Sequence, residues 1–257
     1  MKQLFAPFAN MSRKVIYLLV IGQLLVALML WHNLSHGLIP KPIKIAENFF
    51  ALLPTKVFWD NILVSLVLTL KAMAISILVT LFFAYLSVVP FFSGLAKFLV
   101  KCRYLTLTGL IFVFTLLTQD GSQLKLSLLV FGIVPFFVTS FLSVITSIKN
   151  QEYDLCKTLR YNRWQTLYEV IIIGKADQVL EIIRQNFAIS WLMITMVEGL
   201  SMSEGGIGTL LIKYNKYNDL GNVLAIQLSI FLLGLFFDFL LGFLKKWLFP
   251  YTKLQTQ

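Results

Sequence analysis

The residues able to do chemistry are few and sit in three places. Lys71 lies about ten residues into the apolar run 61–84, where an ammonium costs on the order of 2.5–3.5 kcal/mol on insertion scales and usually faces a cavity. It suits an electropositive point on a path for an anion, or an ion pair, with Asp238 as one partner. Glu198 and Glu204 bracket the end of a second apolar run, and Gly205, Gly206 and Gly208 follow, which reads as a flexible turn. The third place is residues 152–171, where Glu152, Asp154, Lys157, Arg160, Arg163 and Glu169 interrupt a chain otherwise rich in Leu, Ile, Phe and Val.

Most catalytic chemistries lack raw material. His32 and His36 share i, i+4 spacing but have no acid beside them in a zinc arrangement. No nucleophile–base set can be assembled. Gly174-Lys175-Ala176-Asp177 lacks the upstream glycine and the hydroxyl of a phosphate loop. Cys102 and Cys156 are too few for a disulfide framework or a zinc site. The expectation is no enzyme, no metal and no cofactor in this chain, with any ATP and magnesium held by another polypeptide.

The elements that must position these residues follow from composition. The chain is 58% hydrophobic and 13% charged, with mean hydropathy +0.81, whereas a soluble domain carries about 25% charged residues. A bilayer must take up the excess, so the fold class expected is all-α integral membrane. Spans of roughly 20 apolar residues are expected near 15–31, 61–84, 98–118, 126–147, 179–200 and 223–244, about six transmembrane helices. Long continuous runs argue against a barrel. Between the first two spans, Ile45–Trp59 reads as a short interfacial helix.

Fourteen of the 22 Lys and Arg fall in the segments that face inward if the N-terminus is inside, and six in the outer ones, Lys125 among them. That bias places both termini in the cytoplasm, and the net charge of +10 then needs no nucleic acid. Three parts are expected: 1–54 with the first span and an outer segment, a core over 55–250 with a cytoplasmic loop at 150–175, and a tail at 251–257.

From Glu152 onward the spacing is helical. Tyr161, Trp164, Leu167, Tyr168 and Ile171 form one apolar-aromatic face, suited to a lipid surface or to a protein groove. The run "DLCKTLRYNRWQTLYEVIII", 154–173, resembles the EAA loop of ATP-binding-cassette importer permeases, particularly the nitrate, sulfonate and taurine branch. Asp154, Thr158-Leu159 and Arg163-Trp164-Gln165 match the pattern. The order of "TQDGSQLKLSLLVFGIVPFFVTSFLSVITSIKNQE" before it and "VEGLSMSEGGIGTLL" after it matches as well, and the resemblance covers roughly 55–250. Leu155 and Cys156 replace two alanines, Arg160 stands for a glycine and Ile173 for a proline.

The resemblance implies a type I (MetI-like) importer permease fold and a coupling role for Asp154, Thr158, Leu159, Arg160, Arg163 and Trp164 against a cytoplasmic ATPase dimer. It implies a translocation path touching Glu198, Glu204, Gly206 and Gly208, with the turn at 204–208 lining or gating it, and the depth of Lys71 in its apolar run adds that residue to the path. A second permease copy in a homodimer, a periplasmic or surface substrate-binding protein and the bacterial cytoplasmic membrane complete the picture. The solute expected is small and anionic or zwitterionic. Two alternatives stand beside it: a membrane scaffold with a degenerate loop, suggested by Arg160 and Ile173, and an ion-coupled secondary transporter.

Overall fold

The computed structural model describes residues 12–34, 40–202 and 204–250. The expected tails at 1–11 and 251–257, and His36, lie outside them. The described residues form helices and no strand, as a lipid-embedded backbone requires when no barrel closes it. The order is α1 (Arg13–Leu34), α2 (Pro42–Leu52), α3 (Lys56–Leu86), α4 (Pro90–Lys101), α5 (Leu107–Leu117), α6 (Gly121–Thr146), α7 (Asn150–Thr158), α8 (Arg163–Thr166), α9 (Ala176–Leu200), α10 (Ile207–Lys216) and α11 (Leu220–Leu248). A 3-10 turn, Cys102–Tyr104, joins α4 to α5, and a π-helix, Leu167–Ile173, continues α8.

Among the described residues four helices are long and apolar enough to cross a membrane, Lys14–Asn33, Lys56–Leu86, Gly121–Thr146 and Leu220–Leu248, and the bent pair Pro90–Tyr104 and Leu107–Leu117 makes a fifth if counted as one span. Two of the six expected spans differ. The run 98–118 is not one straight helix, because the chain bends by 112° between Pro90–Tyr104 and Leu107–Leu117. The run 179–200 lies inside α9, which carries Asp177, Glu181, Arg184, Asn186 and Glu198 and is less apolar than the four. Its position explains this: α9 packs against α3, α5, α6, α10 and α11, so neighbouring helices rather than lipid cover much of it.

The interfacial helix expected over 45–59 is also divided. α2 starts on Pro42, whose missing N–H is an orphan at that position in any helix, and stops at Leu52. Trp59 belongs to α3, where its indole N–H donates to the Leu53 carbonyl at 2.7 Å. α2 lies against α11 with Ile45 and Leu52 buried.

The core is the α3–α6–α9 contact. α3 presents Ser65, Thr69, Ala72, Ser76, Thr80 and Ala84, none with exposed surface, at three- and four-residue steps. Small side chains let two backbones approach, which replaces the hydrophobic driving force that lipid removes. Leu128, Leu129, Ile133 and Phe137 of α6 fill the facing surface. Pro135 sits within α6, a break tolerated in a membrane helix packed among neighbours, and Thr139 Oγ1 donates to the Pro135 carbonyl one turn back at 2.7 Å.

Candidate functional site

Two polar constructions occupy opposite ends of α9. At its C-terminal end the chain leaves the helix and turns back through Glu204 (φ +64°), Gly205 (φ +75°) and Gly206 (φ +117°) into α10. The first amide groups of any helix lack intrahelical acceptors. In α10 they are satisfied by residues distant in sequence. Gly206 N–H donates to Asn61 Oδ1 at 2.7 Å, Ile207 N–H to Ser65 Oγ at 2.8 Å, and Gly208 N–H to Glu198 Oε2 at 2.8 Å. Ser65 in turn donates to Glu198 Oε1 at 2.6 Å.

Glu198 has no exposed surface, and its carboxylate accepts from both the Ser65 hydroxyl and the Gly208 amide. The positive end of the α10 dipole faces it. From α6, Lys125 is 1% exposed, donates to the Gly205 carbonyl at 2.9 Å and lies within Coulombic reach of Glu198 and Glu204. An anion, a dipole end and a cation thus join four elements in one buried node.

The glycines of the turn do a different job from flexibility. A Cβ on Gly206 would overlap the Glu198 carboxylate, and one on Gly208 would overlap the Thr195 backbone. Gly206 also holds a φ/ψ combination that is essentially glycine-only. The expected flexible turn is a clamped one, because the amides of Gly206, Ile207 and Gly208 are engaged.

Sequence-predicted residues distribute as follows. Glu198, Gly206 and Gly208 meet in the node. Lys71 and Glu204, both exposed, line one cavity of about 360 Å³ between α3 and α6, together with Lys125 and Ser122. Lys71 does not pair with Asp238. That carboxylate takes a fork from Arg184, Nε to Oδ1 and Nη2 to Oδ2, each at 2.7 Å, because Arg184 and Asp238 face one another across α9 and α11. Lys125 is not a loop residue but a buried part of α6. Asn61 and Ser65 are functional candidates that sequence reasoning did not single out, and Lys125 entered it only among the outer cations. A lysine and two small polar residues near apolar runs were the available signal, and nothing local said that they converge.

At the other end of α9, residues 150–175 fold back as a hairpin. The helix expected from Glu152 onward is interrupted. α7 ends in a Schellman motif: Tyr161 N–H donates to the Cys156 carbonyl and Arg160 N–H to that of Lys157, both at 3.0 Å. Arg160 occupies the left-handed position, φ +57°. The chain therefore adopts the turn that a glycine would favour, with arginine in its place.

Asn162 then starts α8 with a capping box: its backbone N–H donates to Gln165 Oε1 at 2.8 Å, and its Oδ1 accepts from the Arg163 N–H at 2.6 Å. The base of the hairpin is apolar: Ile148, Cys156, Val170 and Ile171 are buried together, with Tyr85, Tyr153 and Leu167 against them. Glu152 Oε1 accepts from Lys175 Nζ at 3.0 Å, which ties the start of α7 to the residue before α9. Burial of the Tyr153 hydroxyl, with Glu152 beside it, raises its pKa above the usual phenol value.

Above that seat the expected single apolar-aromatic face is split. Leu167 and Ile171 turn inward, while Leu155, Leu159, Tyr161, Trp164 and Tyr168 are exposed, Trp164 by 66%. Asp154, Thr158, Arg160 and Arg163 are exposed beside them, with Asp154 paired to Lys157 at 2.8 Å. All six residues expected to couple to a partner are exposed on this hairpin.

A family model described as "Binding-protein-dependent transport system inner membrane component" matches residues 48–250. The chain belongs to that family. It is therefore a permease component of a binding-protein-dependent ATP-binding-cassette transport system, with the MetI-like fold, and a multi-pass membrane protein. The family works with an ATP-binding-cassette ATPase and a substrate-binding protein, and its permease subunits are generally not catalytic. No curated protein matches the chain.

Proposed function

We propose that this permease is the membrane half of an ATP-driven importer, working as a homodimer in the cytoplasmic membrane of a bacterium with both termini cytoplasmic. The ATPase pair, which holds ATP and magnesium, grips the surface carrying Asp154, Thr158, Leu159, Arg160, Arg163 and Trp164. The carrying observation is the connection: one helix, α9, runs from that hairpin to the Glu198 node. A rigid element with a handle at one end and a clamped turn at the other transmits rocking between inward- and outward-facing states.

The solute is small and anionic or zwitterionic, of the nitrate, sulfonate or taurine type. Lys71 and Lys125 with Glu204 around one 360 Å³ cavity offer two cations and an acid to such a molecule, and Gly206 and Gly208 hold the turn beside it. The left-handed Arg160 supports coupling over a degenerate scaffold, since the departure from glycine leaves the turn in place. Family membership favours this over an ion-coupled carrier.

The test is reconstitution with a candidate partner ATPase. ATP turnover is expected to rise when a loaded binding protein is added, and Trp164→Ala should weaken ATPase retention by about thirtyfold, the scale of an aromatic hot spot. Absence of stimulation together with absence of a co-purifying ATPase would replace the importer by the scaffold.

A further inference from the structure

The bend between α4 and α5 has a consequence separate from coupling. Where a straight span would press against α3 and α6, the 112° turn leaves a slot of about 430 Å³. Among the eleven residues lining it, Cys102 and Ser127 alone carry a side-chain heteroatom. Leu126, Val130 and Val134 of α6 mark its length, about 12 Å at 1.5 Å per residue, and Leu99 and Cys102 mark the end next to the bend.

Charge defines that end. No acidic residue occurs anywhere from 61 to 119, while Lys97, Lys101 and Arg103 cluster around the bend. Lys101 and Arg103 are exposed and flank Cys102. The Arg103 guanidinium lies 4.9 Å over the Tyr104 ring and donates to its hydroxyl, an arginine–aromatic pair suited to the headgroup level of a bilayer. On α4 itself, Phe91, Leu95 and Phe98 are exposed at helical spacing, Phe91 by 84%. That face gives α4 an exposed apolar side next to the basic bend, as an in-plane amphipathic helix has.

We propose that the slot beneath the bent pair is a binding site for an anionic phospholipid, which lays an acyl chain along α6 and sets its phosphate against Lys101 and Arg103. The slot is apolar along its length and cationic at one end, and α4 holds that end in the leaflet. A zwitterionic lipid fits the slot equally well but brings its own cation to a surface that has no acid to receive it. Free anions have the charge but leave the slot empty.

Cys102 provides the readout, because it lines the slot while Cys156 is 5% exposed. Purified full-length chain, stripped of lipid in a neutral maltoside, is titrated with phosphatidylglycerol or phosphatidylcholine while maleimide alkylation of Cys102 is followed by intact mass. Native mass spectrometry counts the lipids retained. Phosphatidylglycerol is expected to protect Cys102 at about thirtyfold lower concentration than phosphatidylcholine, the scale of two cations near a headgroup. The surface variant Lys101→Gln/Arg103→Gln should remove that preference while still admitting both lipids. Val130→Trp, which fills the slot, should lower phosphatidylglycerol retention with the cations intact.

Equal protection by the two lipids overturns the proposal, and so does protection by inorganic phosphate alone. A lipid-free dimer with Cys102 already blocked also overturns it, since a second copy would then be the occupant. Each result is independent of ATP turnover, so failure here and failure of the importer reading are separable.

Discussion

At Arg160 the chain turns with φ +57°, a conformation that costs an ordinary L-residue roughly 1–2 kcal/mol because Cβ crowds the following carbonyl. The Schellman hydrogen bonds and the buried seat under α7 hold the residue there. Arg160→Gly is therefore expected to stabilise the permease by about 1 kcal/mol, seen as a higher thermal midpoint in detergent, with coupling to the ATPase retained. A lower midpoint would mean that the arginine side chain contributes contacts worth more than the backbone strain. The spacing of the EAA-like run already marked this position as one where glycine is normal. It did not say that arginine would adopt glycine's backbone, because φ depends on hydrogen bonds made to Cys156 and Lys157 after the helix has formed.

At the scale of elements, α10 depends on a capping group that belongs to α9. Its first N–H groups meet Asn61, Ser65 and Glu198, and charged acceptors at such a position contribute about 1.5–3 kcal/mol. Glu198→Leu leaves the Gly208 amide and the Ser65 hydroxyl without their buried acceptor. Glu198→Gln restores one acceptor but not the charge facing the dipole. Hydrogen–deuterium exchange over 205–212 should therefore rise most in the Leu variant, less in the Gln variant and least in the unaltered chain. Unchanged exchange in Glu198→Leu would show that α10 is anchored elsewhere. The existence of α10 was not expected from the sequence. Its ten residues are too short and too mixed, with Lys213, Asn215 and Lys216, to register as a span, and its N-terminus has no local side-chain cap.

For the whole molecule, α9 is the beam on which the rest is arranged, and its mid-length tie to α11 is the Arg184–Asp238 fork. Gly242 lies opposite that guanidinium, where a Cβ would stand 3.4 Å from Arg184 Cζ, so the site is shaped around arginine. Arg184→Ala and Asp238→Ala are each expected to lower the thermal midpoint. Both pair members are about a third to a half exposed, so their coupling in a double-mutant cycle should be modest, about 0.5–1 kcal/mol. A cycle that closes to zero would reduce the fork to a surface contact. Lys71, the residue first matched to Asp238, should show no coupling with it.

What the sequence by itself determined is what hydropathy and composition report along the chain. That covers the helical membrane class, the runs that become α1, α3, α6 and α11, and the charged hairpin at 150–175 with its family pattern. These are legible because lipid accepts few backbone structures and each run must satisfy its own length and polarity. The tertiary structure alone decided which polar groups meet. Ser65 reaches Glu198 over 133 residues, and Lys125 reaches the Gly205 carbonyl over 80. Helical periodicity extends about four residues in either direction, so it cannot show that Asn61, Ser65, Lys125 and Glu198 close on one turn. Nor can it show how the run 98–118 bends: Lys101 and Arg103 mark a polar break beside the turn, but its angle is seen only once α4 and α5 have packed on α6.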